Sequence, residues 1–551
     1  MLKIALAQVN FQVGNFENNV AKIIERISNA KQNKADLIVF SELAVCGYPA
    51  RDFLTYQHFV TQCYKAIELI ATHCQGICAI VGAPSPNTVV VGKNLYNSAY
   101  VVYDGKVQNV VNKCLLPTYD VFDEYRYFES NTDFNCINYK GVKIALTVCE
   151  DLWDVDTDKL YKYSPMDELA KQQPDVMINI AASPFDYQHR EDRLRVFKFN
   201  CQKYNLPLVY VNQVGAQTEL IFDGGSLALD SNGDIVQELN YFTEDLLYIG
   251  LNNKSLERLE IQPYAVVPSN SKIARIHDAL ILGIRDYFEK LGFTKAILGL
   301  SGGIDSALVA VLAVRALGNN NVKVLLLPSE FSSEHSINDA LALVKTLNIE
   351  HEIVNIEQAN NAVEATLANA FSSLPFNVAE ENIQARLRGL LLMAHTNKFG
   401  SVLLNTTNKS EAAVGYGTLY GDMCGGLAVL GDVYKTECYE LAHYINKDTE
   451  VIPTNSIVKP PSAELRPNQK DSDSLPDYDI LDAVLRGYIE QRLSAAELID
   501  KGFDAALVNR VLTMVNRNEY KRFQMAPVLR VSPKAFGIGR RMPLEGKYTY
   551  L

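Results

Sequence analysis

The chain has 551 residues, 48% of them hydrophobic and 21% charged, more than one hydrophobic core organises, so two or three domains are expected. A formal net charge of -12 is the wrong sign for neutralising nucleic-acid phosphates; broad nucleic-acid binding is excluded, a local basic pocket for a nucleotide is not. Ten cysteines at irregular spacing, with no CxxC pair and no Cys/His spacing of a structural zinc site, predict free thiols in a reducing compartment.

The first ten residues, MLKIALAQVN, alternate apolar and polar side chains as a half-buried strand does, and lack the basic start and uninterrupted apolar centre of a secretory signal. No apolar run approaches the length needed to cross a bilayer. A cytoplasmic protein without a membrane partner is the expectation. Short β-branched runs follow at Leu37 to Phe40, Ile77 to Val81, Val142 to Val148, Val176 to Ile180 and Leu208 to Val211. Helical stretches at Asn18 to Ala30 and Arg190 to Tyr204, and turn pairs Asp104-Gly105 and Asn232-Gly233, separate them. A mixed sheet flanked by helices is predicted for this half. The segment Gln262 to Ser271, with Pro263 and Pro268, reads as a linker, giving domains 1–262 and 263–551.

Beyond it, helix Ile273 to Leu291 leads to the apolar run Lys295 to Leu298, then strand Val322 to Leu327, helix Ile337 to Leu347, strand Glu352 to Ile356, long helices to about Phe399, and strand Ser401 to Leu404. Alternation of this kind predicts a doubly wound parallel sheet with ligands at the carboxyl ends of its strands. The polar, acidic stretch Pro467 to Asp479 predicts a mobile surface loop, or a lid placed before two C-terminal helices.

Between the Lys295 run and the helix-like run Ala307 to Leu317 stands GLSGGIDS, residues Gly299, Leu300, Ser301, Gly302, Gly303, Ile304, Asp305 and Ser306. Strand, glycine turn and helix start converge backbone N–H groups and the helix dipole on an anion. The absence of a Lys after the glycines separates it from the GxxxxGK[ST] loop. Glycines allow close approach to phosphate oxygens, serine hydroxyls add donors, and Asp305 offers a ligand for magnesium. An ordinary glycine turn with a Ser/Asp cap is the plain structural alternative. The motif resembles the SGGxDS loop of pyrophosphatase-type ATP-binding enzymes, which adenylate a substrate and release pyrophosphate.

In the first half, three residues end predicted strands: Glu42 in DLIVFSE, Lys113 in VQNVVNK and Cys149 in KIALTVC. Their contexts, SELAVCGYP, NKCLLP and CEDLW, resemble the Glu, Lys, Cys triad of the nitrilase superfamily. That resemblance covers about 260 residues and implies an α-β-β-α sandwich. In amide hydrolysis by such a triad Glu42 takes the thiol proton, Cys149 forms a thioester, and Lys113 stabilises the oxyanion. By the same resemblance Tyr119, Ser183 and, where the family often has Lys, His189 contact glutamine. Glu124 supports the base or is a loop acid.

The pairing of these two motifs in one chain is similar to the glutamine-dependent NAD synthetase family. ENIQARLRG at Glu381 to Gly389 and NTTNKSEAAVGYGTLYGD at Asn405 to Asp422 extend the match. The resemblance implies that Thr406, Lys435 and Ser462 join the SGGxDS loop in contacting ATP. Asn382, Arg386, Glu411 and Lys521 contact deamido-NAD, and Glu411 with Asp305 holds Mg2+. It further implies glutamine as nitrogen donor, a closed ammonia passage and a homo-oligomer. Two other readings use parts of the same pattern: an amidotransferase acting on XMP or aspartate, and a nitrilase-type amidase whose second half senses nucleotide.

Overall fold

The computed structural model describes residues 1–89, 91–259, 271–372, 374–467 and 469–546. The chain divides into two compact units, Met1–Asn270 and Ser271–Leu551. Apart from Ser271, the linker expected over 262–271, and with it the 262/263 boundary, lies outside the described residues. Among the described residues no helix is long and apolar enough to cross a membrane.

The first unit stacks two sheets. One has seven strands in the order 255–258, 245–252, 2–8, 37–39, 78–86, 95–103 and 106–112; the other has six, 235–238, 227–229, 208–212, 176–181, 142–148 and 137–139. Leu2, Ile4 and Leu6 project into the core shared with Ile144, Leu146, Val148, Ile178 and Val209. On the opposite face of the same strand Ala5 and Ala7 pack with Ile23 and Ile27 of helix Phe16–Gln32 and Ile67 and Ile70 of helix Gln57–Thr72. The first strand is therefore buried on both faces rather than half-buried: small alanines alternate with large aliphatics because helices cover one side and a second sheet the other. Helices Pro165–Ala170 and His189–Tyr204 place Met166, Leu169, Val196 and Phe197 against the six-stranded sheet, completing the α-β-β-α sandwich. Both predicted turns form hairpins, with Asp104 and Gly105 at φ +51 and +75, the left-handed pair that a two-residue turn requires.

The second unit is built on five parallel strands in the order 350–353, 322–326, 296–299, 402–405 and 427–428. From the central strand Ala296–Gly299 the chain winds first to one edge and then returns to the other side. Strands 296–299 and 402–405 are thus the neighbours at which the winding reverses, the place where an open parallel sheet leaves a crevice at its carboxyl ends. The edge strand is Glu350–Ile353, not Glu352 to Ile356. All four of its residues are exposed and only Ile353 among them is hydrophobic, so hydrophobicity pointed past it to Ile356, which is buried at the start of the following helix.

The acidic stretch after Pro467 is anchored rather than loose. Asp471 is 4% exposed, accepting hydrogen bonds from Tyr416 (3.2 Å) and Tyr478 (2.9 Å), and Leu475 enters the core of helices Tyr478–Ile489 and Ala505–Arg517. The local Tyr478 and the sequence-distant Tyr416 together override its polar composition here. All ten cysteines are free; eight are buried, and Cys136 and Cys424 are partly exposed.

Candidate active sites

Glu42, Lys113 and Cys149 come together at one end of the sandwich. Glu42 lies three residues past strand Leu37–Val39, Lys113 directly follows Lys106–Asn112, and Cys149 directly follows Val142–Val148. Lys113 is fully buried and donates to Glu42 Oε1 (2.7 Å) and to both oxygens of Glu124 (2.9 and 2.8 Å). Burial opposes its charge, but Glu124 and Glu42 outweigh that and raise its pKa. The ammonium is therefore fixed as a cation. Glu124 is 5% exposed and part of this cluster, which removes the reading of it as a loop acid; burial pushes its carboxyl upward against the pull of Lys113.

Glu42 accepts from Asn97 Nδ2 (2.6 Å) through Oε1 and from the Ala182 N–H (2.9 Å) through Oε2. Asn97 also donates to Glu124 (3.3 Å), and Tyr48 donates to Glu124 (3.0 Å). Sequence reasoning missed both residues, because neither stands at a strand end nor in a charged context. The Cys149 thiol is pushed well up, first by burial and then by the nearby Glu42 charge, with Lys113 opposing. It rests as a neutral thiol beside the Glu42 carboxylate. Cys149 has φ +43, a left-handed conformation costing about 1–3 kcal/mol in a non-glycine residue. Such strain turns the side chain out of the strand ladder and is held by the tight turn Cys149–Leu152.

The residues assigned to glutamine form an adjoining group. The Tyr119 hydroxyl donates to both Glu150 oxygens (2.9 and 3.0 Å), and Tyr161 donates to Glu150 Oε1 (3.0 Å). Burial raises the Glu150 carboxyl to about 7. Ser183 Oγ and His189 Nε2 are hydrogen-bonded at 2.6 Å, and the His189 ring stacks on Trp153 with centroids 5.0 Å apart. Glu150 and Trp153 stand within CEDLW, so position beside Cys149 was the available signal for them.

In the second unit the SGGxDS loop joins strand Ala296–Gly299 to helix Ile304–Leu317. Gly302 has φ +83, and a Cβ there would lie 2.2 Å from the Ser336 carbonyl oxygen; no side chain fits. The two serines hold the loop as well as facing its ligand side. Ser306 Oγ donates to Gly303 O (3.0 Å) and accepts from Ser301 N (3.3 Å).

Two cavities share this loop. One of 260 Å³ is lined by Gly299, Leu326, Arg388, Leu392 and Thr406; one of 210 Å³ by Gly302, Asp305, Thr406, Glu411, Lys435 and Ser462. Ser301, Ser306, Thr406 and Asp422 line both, so an apolar half and a charged half meet at the loop. Thr406 follows the neighbouring strand Val402–Asn405, which puts it at the winding reversal.

Lys435, the first residue of helix Lys435–Ile445, pairs with Asp305 Oδ2 and lies 3.7 Å from Glu411. Glu411 sits in the short helix Lys409–Val414, where the Asn408 side chain caps its N–H (3.0 Å); Asn408 Nδ2 also reaches Asp305 Oδ1 (3.3 Å). Burial, then repulsion from Asp305, raises the Glu411 carboxyl above its usual range despite Lys435.

Asn382, Arg386 and Lys521 gather elsewhere, on the glycine-rich segment 415–422. Asn382 Oδ1 accepts from Thr418 (2.7 Å), Arg386 Nε donates to Leu419 O (3.2 Å), and Lys521 donates to Gly415 O and Gly417 O (2.7 and 2.8 Å). None of the three lines either cavity. Arg388, one helical turn from Gln384 on helix Val378–Phe399, lines the larger one instead; burial lowers its pKa to about 10. The 3.6-residue period separates it from its exposed neighbour Arg386, a distinction invisible when both are read as one basic helix face.

Comparison with known proteins agrees with both halves. The carbon-nitrogen hydrolase family model matches residues 3–260 and the NAD synthase model residues 276–525. The chain is 44% identical to the glutamine-dependent NAD(+) synthetase of Synechocystis sp., across 99% of this chain and 98% of the relative. It is 42% identical to that of Acinetobacter baylyi, across 98% of each. A solved glutamine-dependent NAD+ synthetase from Acinetobacter baumannii, in complex with adenosine diphosphate, superimposes with a TM-score of 0.78 at 39% identity, covering 100% of this chain and 99% of that one. With one domain of each kind and relatives matched from end to end, the chain belongs to the glutamine-dependent NAD(+) synthetase family.

Proposed function

We propose that this protein makes NAD from deamido-NAD, ATP and glutamine, with separate chemistry in its two units. In the first, Glu42 accepts the Cys149 proton as sulfur attacks the glutamine side-chain amide, and Lys113 faces the developing oxyanion. The proton passes to the departing ammonia, leaving a thioester on Cys149. Water, deprotonated by Glu42, then releases glutamate and restores the thiol. Tyr119, Ser183 and His189 hold the amino-acid end of glutamine.

In the second unit the nicotinate carboxylate of deamido-NAD attacks the α-phosphate of ATP, pyrophosphate leaves, and ammonia displaces AMP to form the amide. The loop Gly299 to Ser306 with Thr406, Lys435 and Ser462 binds ATP; Asn382, Arg386, Glu411 and Lys521 bind the dinucleotide. Asp305 and Glu411 suit magnesium: they are two part-buried carboxylates beside one cavity, Glu411 is raised by burial and then by the Asp305 charge, and magnesium commonly takes one or two carboxylates plus substrate phosphates. Bound there, the ion would offset phosphate charge. Lys435 supplies a fixed positive charge beside Asp305.

Ammonia set free in neutral water is mostly protonated and not nucleophilic, so the reading includes a sheltered passage between sites and a homo-oligomer. Ten free cysteines suit a cytoplasmic setting. The observation carrying the proposal is the joint presence, in one chain, of the buried Cys149, Glu42, Lys113 cluster and the SGGxDS loop at the sheet's winding reversal. Mass analysis of the product after supplying glutamine with an isotopic amide nitrogen tests it. The label is expected in the nicotinamide group; its appearance in XMP-derived or aspartate-derived amide overturns the reading, as does persistence of product formation in Asp305→Ala.

A further inference from the structure

We propose that Asp151, two residues beyond Cys149, is a positioning residue that sets the attack geometry by tying together the strand ends carrying Lys113 and Cys149. The inference rests on the glutaminase reading above. Lys113 leaves the last strand of the seven-stranded sheet and Cys149 leaves a strand of the six-stranded sheet, and no backbone ladder pairs those two strands. Their relative placement therefore depends on side chains.

Asp151 bridges them. Its Oδ1 accepts the N–H groups of Cys114 (3.0 Å) and Leu115 (2.9 Å), the two residues after Lys113. Its Oδ2 accepts the Val148 N–H (3.0 Å), the residue before Cys149. One carboxylate thus holds backbone on both sides of the catalytic gap, at 6% exposure. Burial pushes the Asp151 carboxyl up to about 6, with the three N–H groups pulling it down, so at neutral pH it is ionised and its bonds are charge-assisted. The same group closes the turn that keeps Cys149 at φ +43. From the other side Asn179 Nδ2 donates to the Cys149 carbonyl (3.3 Å) and Thr147 Oγ1 (3.0 Å), so the nucleophile's backbone is held at both faces while its side chain stays free to react. Reacting groups misplaced by about 1 Å lose on the order of 100-fold in rate, which is the scale on which this bridge acts.

Asp151→Asn keeps the shape but presents one acceptor oxygen and one donor amide, so at least one of the three N–H groups meets another donor. In the full-length protein the expected result is a fall of about 10–100-fold in kcat for glutamine hydrolysis, with KM for glutamine within about twofold because the residues assigned to its amino-acid end are untouched. Alkylation of Cys149 by iodoacetamide slows in parallel, and synthesis driven by ammonium salt stays within about twofold, reporting an intact fold. A kcat close to that of the unmodified protein overturns the proposal, as does a rise in KM alone or a fall in kcat with unchanged alkylation. Should Asp151→Asn lose ammonia-driven synthesis, Asp151→Ser is judged by the same split; loss of ammonia-driven synthesis in both makes Asp151 a folding element and also overturns it. If the unmodified protein releases no ammonia from glutamine, the glutaminase reading fails instead, and that outcome is visible before any variant is made.

Discussion

Each unit builds its site around one lysine and two carboxylates, but the two clusters are finished differently. Lys113 bonds directly to Glu42 Oε1 and to both Glu124 oxygens, Asn97 and Tyr48 donate to those same oxygens, and the Ala182 N–H takes the remaining one, Glu42 Oε2. Lys435 pairs with Asp305 and stands 3.7 Å from Glu411, and all three line a cavity. The first cluster is complete and suits a neutral amide, whose charge develops only during reaction. The second stands at a cavity wall with Lys435 hydrogen-bonded to only one of its two carboxylates, an arrangement that would suit a substrate arriving with its own cation. Closure and openness follow from what each site receives.

The sharpest break between them comes from the nucleophile. Cys149→Ala is expected to lower glutamine-driven NAD formation at least about 1,000-fold while ammonium-driven formation persists, measured as product per enzyme with each nitrogen source. Equal loss with both donors would join what the comparison separates. The matched lysine pair comes next. Lys113→Met leaves two buried carboxylates without their cation and is expected to cost about 100-fold or more with glutamine alone. Lys435→Met is expected to cost a similar factor with either donor. Steady-state rates under both conditions check the asymmetry, and a Lys435→Met protein impaired only with glutamine would invert it.

Glu411→Gln sharpens the view of the second cluster as waiting for a cation. Turnover with either donor should fall about 10-fold, and the magnesium concentration giving half-maximal rate should rise several-fold; an unchanged magnesium requirement removes Glu411 from that role. The smallest expected effect concerns pH. Glu150 has its pKa raised by burial from 4.5 to about 7, so the folded chain holds this proton more tightly than the unfolded one. Its contribution is fully present below about pH 4.5 and is lost as pH rises through about 7. The melting temperature should fall between pH 5 and 8, and Glu150→Gln should flatten that fall by roughly 2–4 °C. An identical profile in the variant would show that Glu150 does not titrate in this range.

Strand ends and glycine turns were readable because they are local. Glu42, Lys113 and Cys149 each close an apolar run, and GLSGGIDS declares its strand, turn and helix within one window. Asn97, Tyr48 and Asp151 were not readable, because their importance arises from contacts with Glu42, Glu124 and the backbone after Lys113, dozens of residues away in sequence. The parallel sheet was legible from alternation, whereas its edge strand at Glu350 and the hydrogen bond of Asp471 to Tyr416 depended on neighbours no window contains. Arg386 and Arg388 illustrate the limit at one residue's resolution: two positions on one helix, one exposed and one lining a cavity.

The distribution of thiols gives the protein a pair of built-in handles. Cys136 falls in the first unit and Cys424 in the second, and the other eight thiols are buried. A bulky maleimide dye under mild conditions would therefore favour one attachment point per unit. Because Cys424 borders the larger of the two cavities at the SGGxDS loop, its labelling rate doubles as a gauge of whether that cavity is filled.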